Sequence, residues 1–334
     1  MRRLIWLAVV FVLVWSGWWF FASSSMKNGI DVWLSDRRAE GWQAEVVETR
    51  TGGYPFALEA TMVSPVLADP DSGVAFSASQ LEIAAPAWWP GYVSVTFPQD
   101  DMVFASPLLR HTVQAQTAIA DFRLHPGTAL EVEELALRSG TWVLATPQGS
   151  LMGADGLTLS MLQAPDDPNR YSFVLDAPAF EPGRLPRSAL RVPEDWPVAF
   201  DSLALAMEIT FDRPFDRTTL EDARPQPRRV DLELAEAQWG ALSLLGAATL
   251  DVAPGGLLSG EVSLQARNWQ DILTLAETAG ALPPELRPQL ERVLGALARS
   301  SGNPENIDAA LTLRDGRIFV GFIPLGRAPL LVLR

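Results

Sequence analysis

DSLALAMEITF, residues 201–211, alternates without a miss. Leu203, Leu205, Met207, Ile209 and Phe211 fall on one side, and Ser202, Ala204, Ala206, Glu208 and Thr210 on the other. Successive side chains of an extended chain point to opposite faces, so a period of two predicts a strand with one apolar face. Half-buried strands of this kind belong to antiparallel sheets, whose second face meets water.

The period continues outward from there. Downstream, Val230, Leu232 and Leu234 alternate with Asp231 and Glu233. Ala248, Leu250 and Val252, then Leu258, Gly260, Val262, Leu264 and Ala266, flank Pro254-Gly255-Gly256, which predicts a hairpin. Upstream, shorter strands are predicted at 113–123, 130–138, 142–145, 157–161 and 171–175. Further up, Phe56, Leu58, Ala60 and Met62 alternate behind Gly52-Gly53-Tyr54-Pro55. Glycine takes positive φ without strain and proline fixes φ, so this is a turn. Phe76/Ala78 and Leu81/Ile83 continue the strand signal. A Trp, a strand, a Gly-bearing turn and another strand occur at 142–161 and again at 239–266, so the sheet grows by adding similar hairpins.

The helical period appears near both ends. Asn268 stands before Ile272, Leu275, Ala276 and Ala279, a first helix with Asp271 in its opening turn. Pro283-Pro284 opens a second, striped by Leu286, Leu290, Val293, Leu294 and Leu297. A last hairpin follows: 307–313, turn Asp315-Gly316, and 318–322. At the N-terminus, LIWLAVVFVLVWSGWWFFA (residues 4–22) has no charge and follows Arg2 and Arg3. As a helix it rises roughly 28 Å, close to the ~30 Å hydrocarbon core of a bilayer.

Leu4 opens this anchor, and Trp15, Trp18, Trp19 and Phe20 crowd its far end, where aromatic rings suit a membrane–water interface. A cleavable signal peptide is the alternative, with Ala22 and Ser24 resembling a cleavage site. Either way the remainder is exported, with Arg2 and Arg3 held in the cytoplasm. Residues 1–25 are thus the membrane anchor (or an uncleaved signal) and 26–41 a juxtamembrane helix, with Ile30, Trp33, Leu34 and Arg37 at helical spacing before Gly41. Residues 42–334 form a β-rich domain with helices near 268–300.

The sequence has 26 basic and 40 acidic residues, a net charge of −14. An acidic surface argues against nucleic acid or anionic headgroups as charge partners. There is no cysteine, hence no disulfide and no thiolate site. His111 and His125 are the only histidines, with no HExxH, GxSxG or P-loop pattern. Asp69-Pro-Asp71-Ser-Gly73 resembles the start of a calcium loop but lacks its remainder and reads as a turn. Asp100-Asp101, Glu131-Glu133-Glu134 and Asp166-Asp167 read as solvated edges rather than acid–base pairs. No cofactor or metal site is expected. Trp88-Trp89-Pro90-Gly91-Tyr92 is the densest aromatic cluster outside the anchor. It is either a loop folded over a sheet end or, through Trp88, Trp89 and Tyr92, the lip of an apolar groove.

GGYPF at 52–56, APAWWPGY at 85–92, Asn268-Trp269 and the ending LRDGRIFVGFIPLGRAPLL resemble an exported Gram-negative family known as domain of unknown function 2125. More distantly, Gly-rich hairpins behind one anchor resemble the AsmA-like envelope proteins. That second resemblance implies a β-groove carrying phospholipid, although this chain is much shorter than the bridge-forming members. Neither implies a catalytic residue.

The sequence therefore predicts a mainly β protein: one large curved antiparallel sheet with a C-terminal helical pair, preceded by one N-terminal transmembrane helix. The expected location is the inner membrane, single-pass, with the bulk in the periplasm. The expected function is non-enzymatic, binding or handing on an apolar envelope ligand such as lipid. The alternative is a structural or interaction protein of the envelope with a closed core. Lipid co-purification separates the two.

Overall fold

The computed structural model describes every residue except 71–72, 107–108, 195, 222–223, 279, 281, 301–304 and 334, and only the backbone at 220, 221, 297, 300 and 323. Asp71 of the calcium-like turn and Ala279 of the first C-terminal helix lie outside the described residues, as does the side chain of Leu297. The protein is mainly β, with antiparallel strand pairing, one long N-terminal helix and two C-terminal helices. It divides into two compact units: Met1–Pro126 with Leu137–Pro147, and Gly127–Ala136 with Gln148–Arg334.

In the first unit the apolar run and residues beyond it make one continuous helix, Arg2–Ala39. It is long and apolar enough to cross a membrane. Gly41, at φ 93°, follows its C-terminal cap, where glycine pays no Cβ penalty for positive φ. Five strands then pair in the order Glu48–Gly52, Ala57–Val63, Gln80–Pro86, Tyr92–Thr96, Ile119–Leu124. Six others pair from Gln43–Glu45 through Val66–Ala68, Ala75–Ser77, Met102–Ala105 and Arg110–Ala115 to Trp142–Thr146. Ala78, Met102, Ala115 and Ala118 form a buried cluster, with Phe76, Phe97, Val113 and Trp142 packed against it. The strand expected at 113–123 is two strands. Thr117, at φ 48°, turns the chain between them, and nothing in the local alternation marks that break.

In the second unit nine strands run antiparallel from Leu157–Ala164 and Asp167–Asp176 through Ser202–Phe211, Pro227–Trp239, Leu242–Val252 and Leu258–Arg267. They end with Asn306–Arg314, Arg317–Val320 and Ile323–Arg327. The predicted turns hold: Gly255 and Gly256 sit at φ 93° and 84°, and Asp315 and Gly316 at 51° and 69°. Trp269–Thr278 and Arg287–Ser300 are the helical pair. Trp269, Leu273, Leu282, Ala298 and Ile307 bury together, with Leu290 and Leu294 packed alongside. Leu286 and Val293 of the predicted stripe stay exposed. The Asn268 amide donates across to the carbonyl of Ala241, joining the helix start to a strand end.

Candidate functional site

The GGYPF and APAWWPGY turns meet at one place in the first unit, and the end of the apolar run docks there. Gly53 makes this possible: it sits at φ 91°, and a Cβ would stand 2.6 Å from the carbonyl oxygen of Ala57. The two turns present three backbone carbonyls to the helix, Pro55 and Ala57 at the first and Ala87 at the second. Trp15 Nε1 donates to Pro55 (3.0 Å), Trp19 Nε1 to Ala57 (2.6 Å) and Trp18 Nε1 to Ala87 (3.0 Å). The hydroxyls of Ser16 and Tyr54 are 2.9 Å apart. The Tyr54 ring meets Trp19 edge-on and stacks on Phe20. Trp19 is buried with Leu58 and Ala87, while Leu4 and Phe20 are exposed. The tryptophans at the end of the apolar run are thus hydrogen-bond donors that fasten the helix to the sheet.

The three groove-lip residues lie beside this joint. Trp88 and Tyr92 line an apolar cleft of about 510 Å³ with Phe56, Ala84, Val93 and Phe122. Trp88 also lines a second crevice, of about 450 Å³, against Phe11, Val12 and Trp15 of the helix. The Trp89 indole turns instead onto Gly91, where a Cβ would meet its Nε1 at 3.1 Å. Asp121 borders the larger cleft, held by Ser94 and by an ion pair with Arg138. Farther along the helix, Met26, Ile30, Trp33 and Leu34 face Met62, Leu67, Leu81 and Ile83 around a third apolar space of about 420 Å³.

The second unit carries its own apolar face, and that face is unevenly covered. Register places Leu175, Leu205 and Ala235 side by side, then Gly246 and Leu264. At one end of these strands Met161, Tyr171 and Phe211 bury together, and Val230, Val252, Leu258 and Leu313 form a further buried cluster. The helical pair covers Ala266, Ile307 and Ala309. At the other end of the Ser202–Phe211 strand, Phe200 stacks on Trp239, and Trp196 meets Trp239 edge-on. Between these covers Leu175, Leu203, Leu205, Leu232, Leu244 and Leu264 surround an open groove of about 310 Å³. Of the strand's odd positions only Phe211 is fully buried; Leu203 through Ile209 are half-exposed.

Among the described residues that line this groove only Glu236, at its rim, is charged, and it accepts a hydrogen bond from Ser202. Three of the acids singled out in the sequence have side-chain partners. Glu131 accepts from the Gln163 amide (2.6 Å), Asp101 from Gln114 (2.6 Å), and Asp166 pairs with Arg170 (2.5 Å). The hydrogen bond and charge of Arg170 hold the Asp166 carboxyl below its ordinary range. His111 lies on the Arg110–Ala115 strand opposite Phe104, with its Nδ1 buried. His125 follows the Ile119–Leu124 strand. Among the described residues no cluster of three His, Asp or Glu side chains has metal-binding geometry.

A mainly β protein with an apolar N-terminal helix, aromatic turns fastened to that helix and a leucine-lined sheet groove defines the class. The chain belongs to the family described as "Uncharacterized protein conserved in bacteria (DUF2125)", whose model matches residues 19–329. The match starts at Trp19, the buried indole of the helix joint. No curated protein matches the chain.

Proposed function

We propose that this protein is a single-pass inner-membrane protein whose periplasmic bulk binds or hands on an apolar ligand, an acyl chain of a lipid, without catalysing a reaction. The observation that carries this reading is the half-exposed leucine groove of the second unit. An antiparallel sheet normally packs its apolar face shut. Here aromatic clusters and the helical pair cover its ends, while Leu244 remains 41% exposed. Each methylene buried there contributes roughly 0.8 kcal/mol, so ten supply about 8 kcal/mol before ordering costs. A groove of this size is at the small end of ligand sites, suited to part of a chain rather than a whole lipid. Arg2 and Arg3 before the run support the orientation, and the chain's net charge of −14 disfavours anionic partners.

The test is retained lipid. The full chain is purified in detergent and its phospholipid measured by mass spectrometry. It is compared with Leu244→Glu in the groove and Val174→Glu, an exposed position on the opposite face. The reading predicts that only Leu244→Glu lowers retained lipid. Equal lipid in all three would leave the closed structural protein as the better account.

A further inference from the structure

The helix joint fixes how deep the first unit sits. Trp15, Trp18 and Trp19, whose indoles donate to Pro55, Ala87 and Ala57, all lie inside the uncharged run 4–22. If the bilayer ended before these contacts, only residues 4–14 would lie in hydrocarbon. That is about 16 Å of helix, roughly half of a ~30 Å core. The whole run rises about 28 Å and matches it. Trp19 then lies about 5 Å, and Trp15 about 10 Å, inside the end of the run. The turns bonded to them must share that depth.

We propose that the Tyr54-Pro55-Phe56 and 86–92 turns are immersed in the leaflet nearest the β domain, with Phe56 and Trp88 in contact with its acyl chains. The surface suits that occupant. Phe56 is 69% and Trp88 63% exposed, and neither turn carries a charge. Hydrocarbon demands that polar backbone be satisfied internally. The amides of Phe56 and Ala57 both bond to Gly53, that of Ala87 to Phe56, Trp89 to Pro86 and Tyr92 to Trp89. Acyl chains fill the crevice between Phe11, Val12 and Trp15 of the helix and Tyr54, Phe56 and Trp88 of the turns. The inference rests on the helix crossing a membrane and is independent of lipid in the second unit's groove.

The absence of cysteine makes the test direct. Single cysteines at Leu7, Val47, Phe56 and Trp88 are spin-labelled in the full chain, reconstituted into palmitoyl-oleoyl phosphatidylcholine vesicles. Collisions with oxygen report hydrocarbon, and collisions with an aqueous nickel chelate report water. Val47 is 79% exposed and precedes the Glu48–Gly52 strand, at the end opposite the turn. Labels at Phe56 and Trp88 should behave like that at Leu7, favouring oxygen and losing the nickel collisions seen at Val47. Nickel access equal to that at Val47 would overturn the inference. So would shielding from both reagents, which would mean that protein covers the turns. A Leu7 label that behaves like Val47 would remove its premise and overturn it as well.

Discussion

Trp19 Nε1 donates to the carbonyl of Ala57 across 2.6 Å, joining residues 38 positions apart. The bond ties the membrane-length helix to the first turn of the sheet, and with it the orientation of the whole first unit. Trp15 and Trp18 repeat the arrangement one turn and one residue earlier. Cleavage after Ser24 would remove all three donors.

Intact-mass measurement of the purified protein should therefore find residues 1–24 retained. Trp19→Ala opens a buried site, and the expected cost is about 3–5 kcal/mol, the range for large aromatic truncations. Trp19→Phe keeps most of the ring and loses the donor, leaving the Ala57 carbonyl without it, for about 1–3 kcal/mol. Thermal midpoints in detergent should fall in that order. No change in either variant would mean that the helix is not fastened to the sheet.

Gly53→Ala should be worse than its size suggests. Its φ of 91° is strained for any L side chain, and the new Cβ would meet the Ala57 backbone at 2.6 Å. The Gly52–Phe56 turn would have to move, and the carbonyls that accept the tryptophan donors with it. We expect loss of at least about 2 kcal/mol, more than Gly127→Ala, where a Cβ meets nothing within 4 Å. Urea midpoints compare the two, both being positive-φ glycines.

The Ser202–Phe211 strand should show a graded apolar face. Phe211→Ala removes a buried ring packed on Tyr171, Phe173 and Phe215 and should cost about 3–5 kcal/mol. Leu205→Ala, half-exposed in the groove, should cost less than half of that. Similar losses at both would mean that the groove is closed in solution.

Tyr171 supplies a pH dependence. Its ring is fully buried, and its hydroxyl accepts from the Phe215 amide (3.1 Å) and the Gln163 amide (3.0 Å). Burial, the largest cause, pushes its ionisation above the ordinary value of 10.0. The neutral phenol therefore stabilises the fold fully below that value. The contribution is lost as pH rises from there through the raised folded-state value. Urea midpoints between about pH 8 and pH 11 should fall more steeply for the wild type than for Tyr171→Phe. The variant starts lower by about 1–3 kcal/mol, because it strands the Phe215 amide. Parallel pH curves would show that Tyr171 ionises as readily folded as unfolded.

Most of the sheet was legible because its signals are local. The alternation at 201–211, the Gly255-Gly256 and Asp315-Gly316 turns and the uncharged run all follow from neighbouring residues. The long-range features were not. Trp15, Trp18 and Trp19 read as interfacial rings, and nothing in their spacing shows that their donors meet Pro55, Ala87 and Ala57. Trp88 and Tyr92 do border a cleft, whereas Trp89 folds onto Gly91. Trp239 gave no hint that it would stack on Phe200 and meet Trp196. The leucine groove was hidden for a related reason. Leu203 and Phe211 are equivalent in the alternation, and only packing from elsewhere in the chain decides that one is open and the other buried.

The most direct test of the central claim is a photocrosslink in living bacteria. Benzoylphenylalanine replaces Leu244 in the groove or Val174 on the opposite face of the same sheet, both partly exposed. After irradiation, the purified chains are weighed for covalent lipid adducts. Phospholipid adducts are expected at position 244 and none above background at 174. Bare protein at both positions, or equal adducts at both, would contradict it.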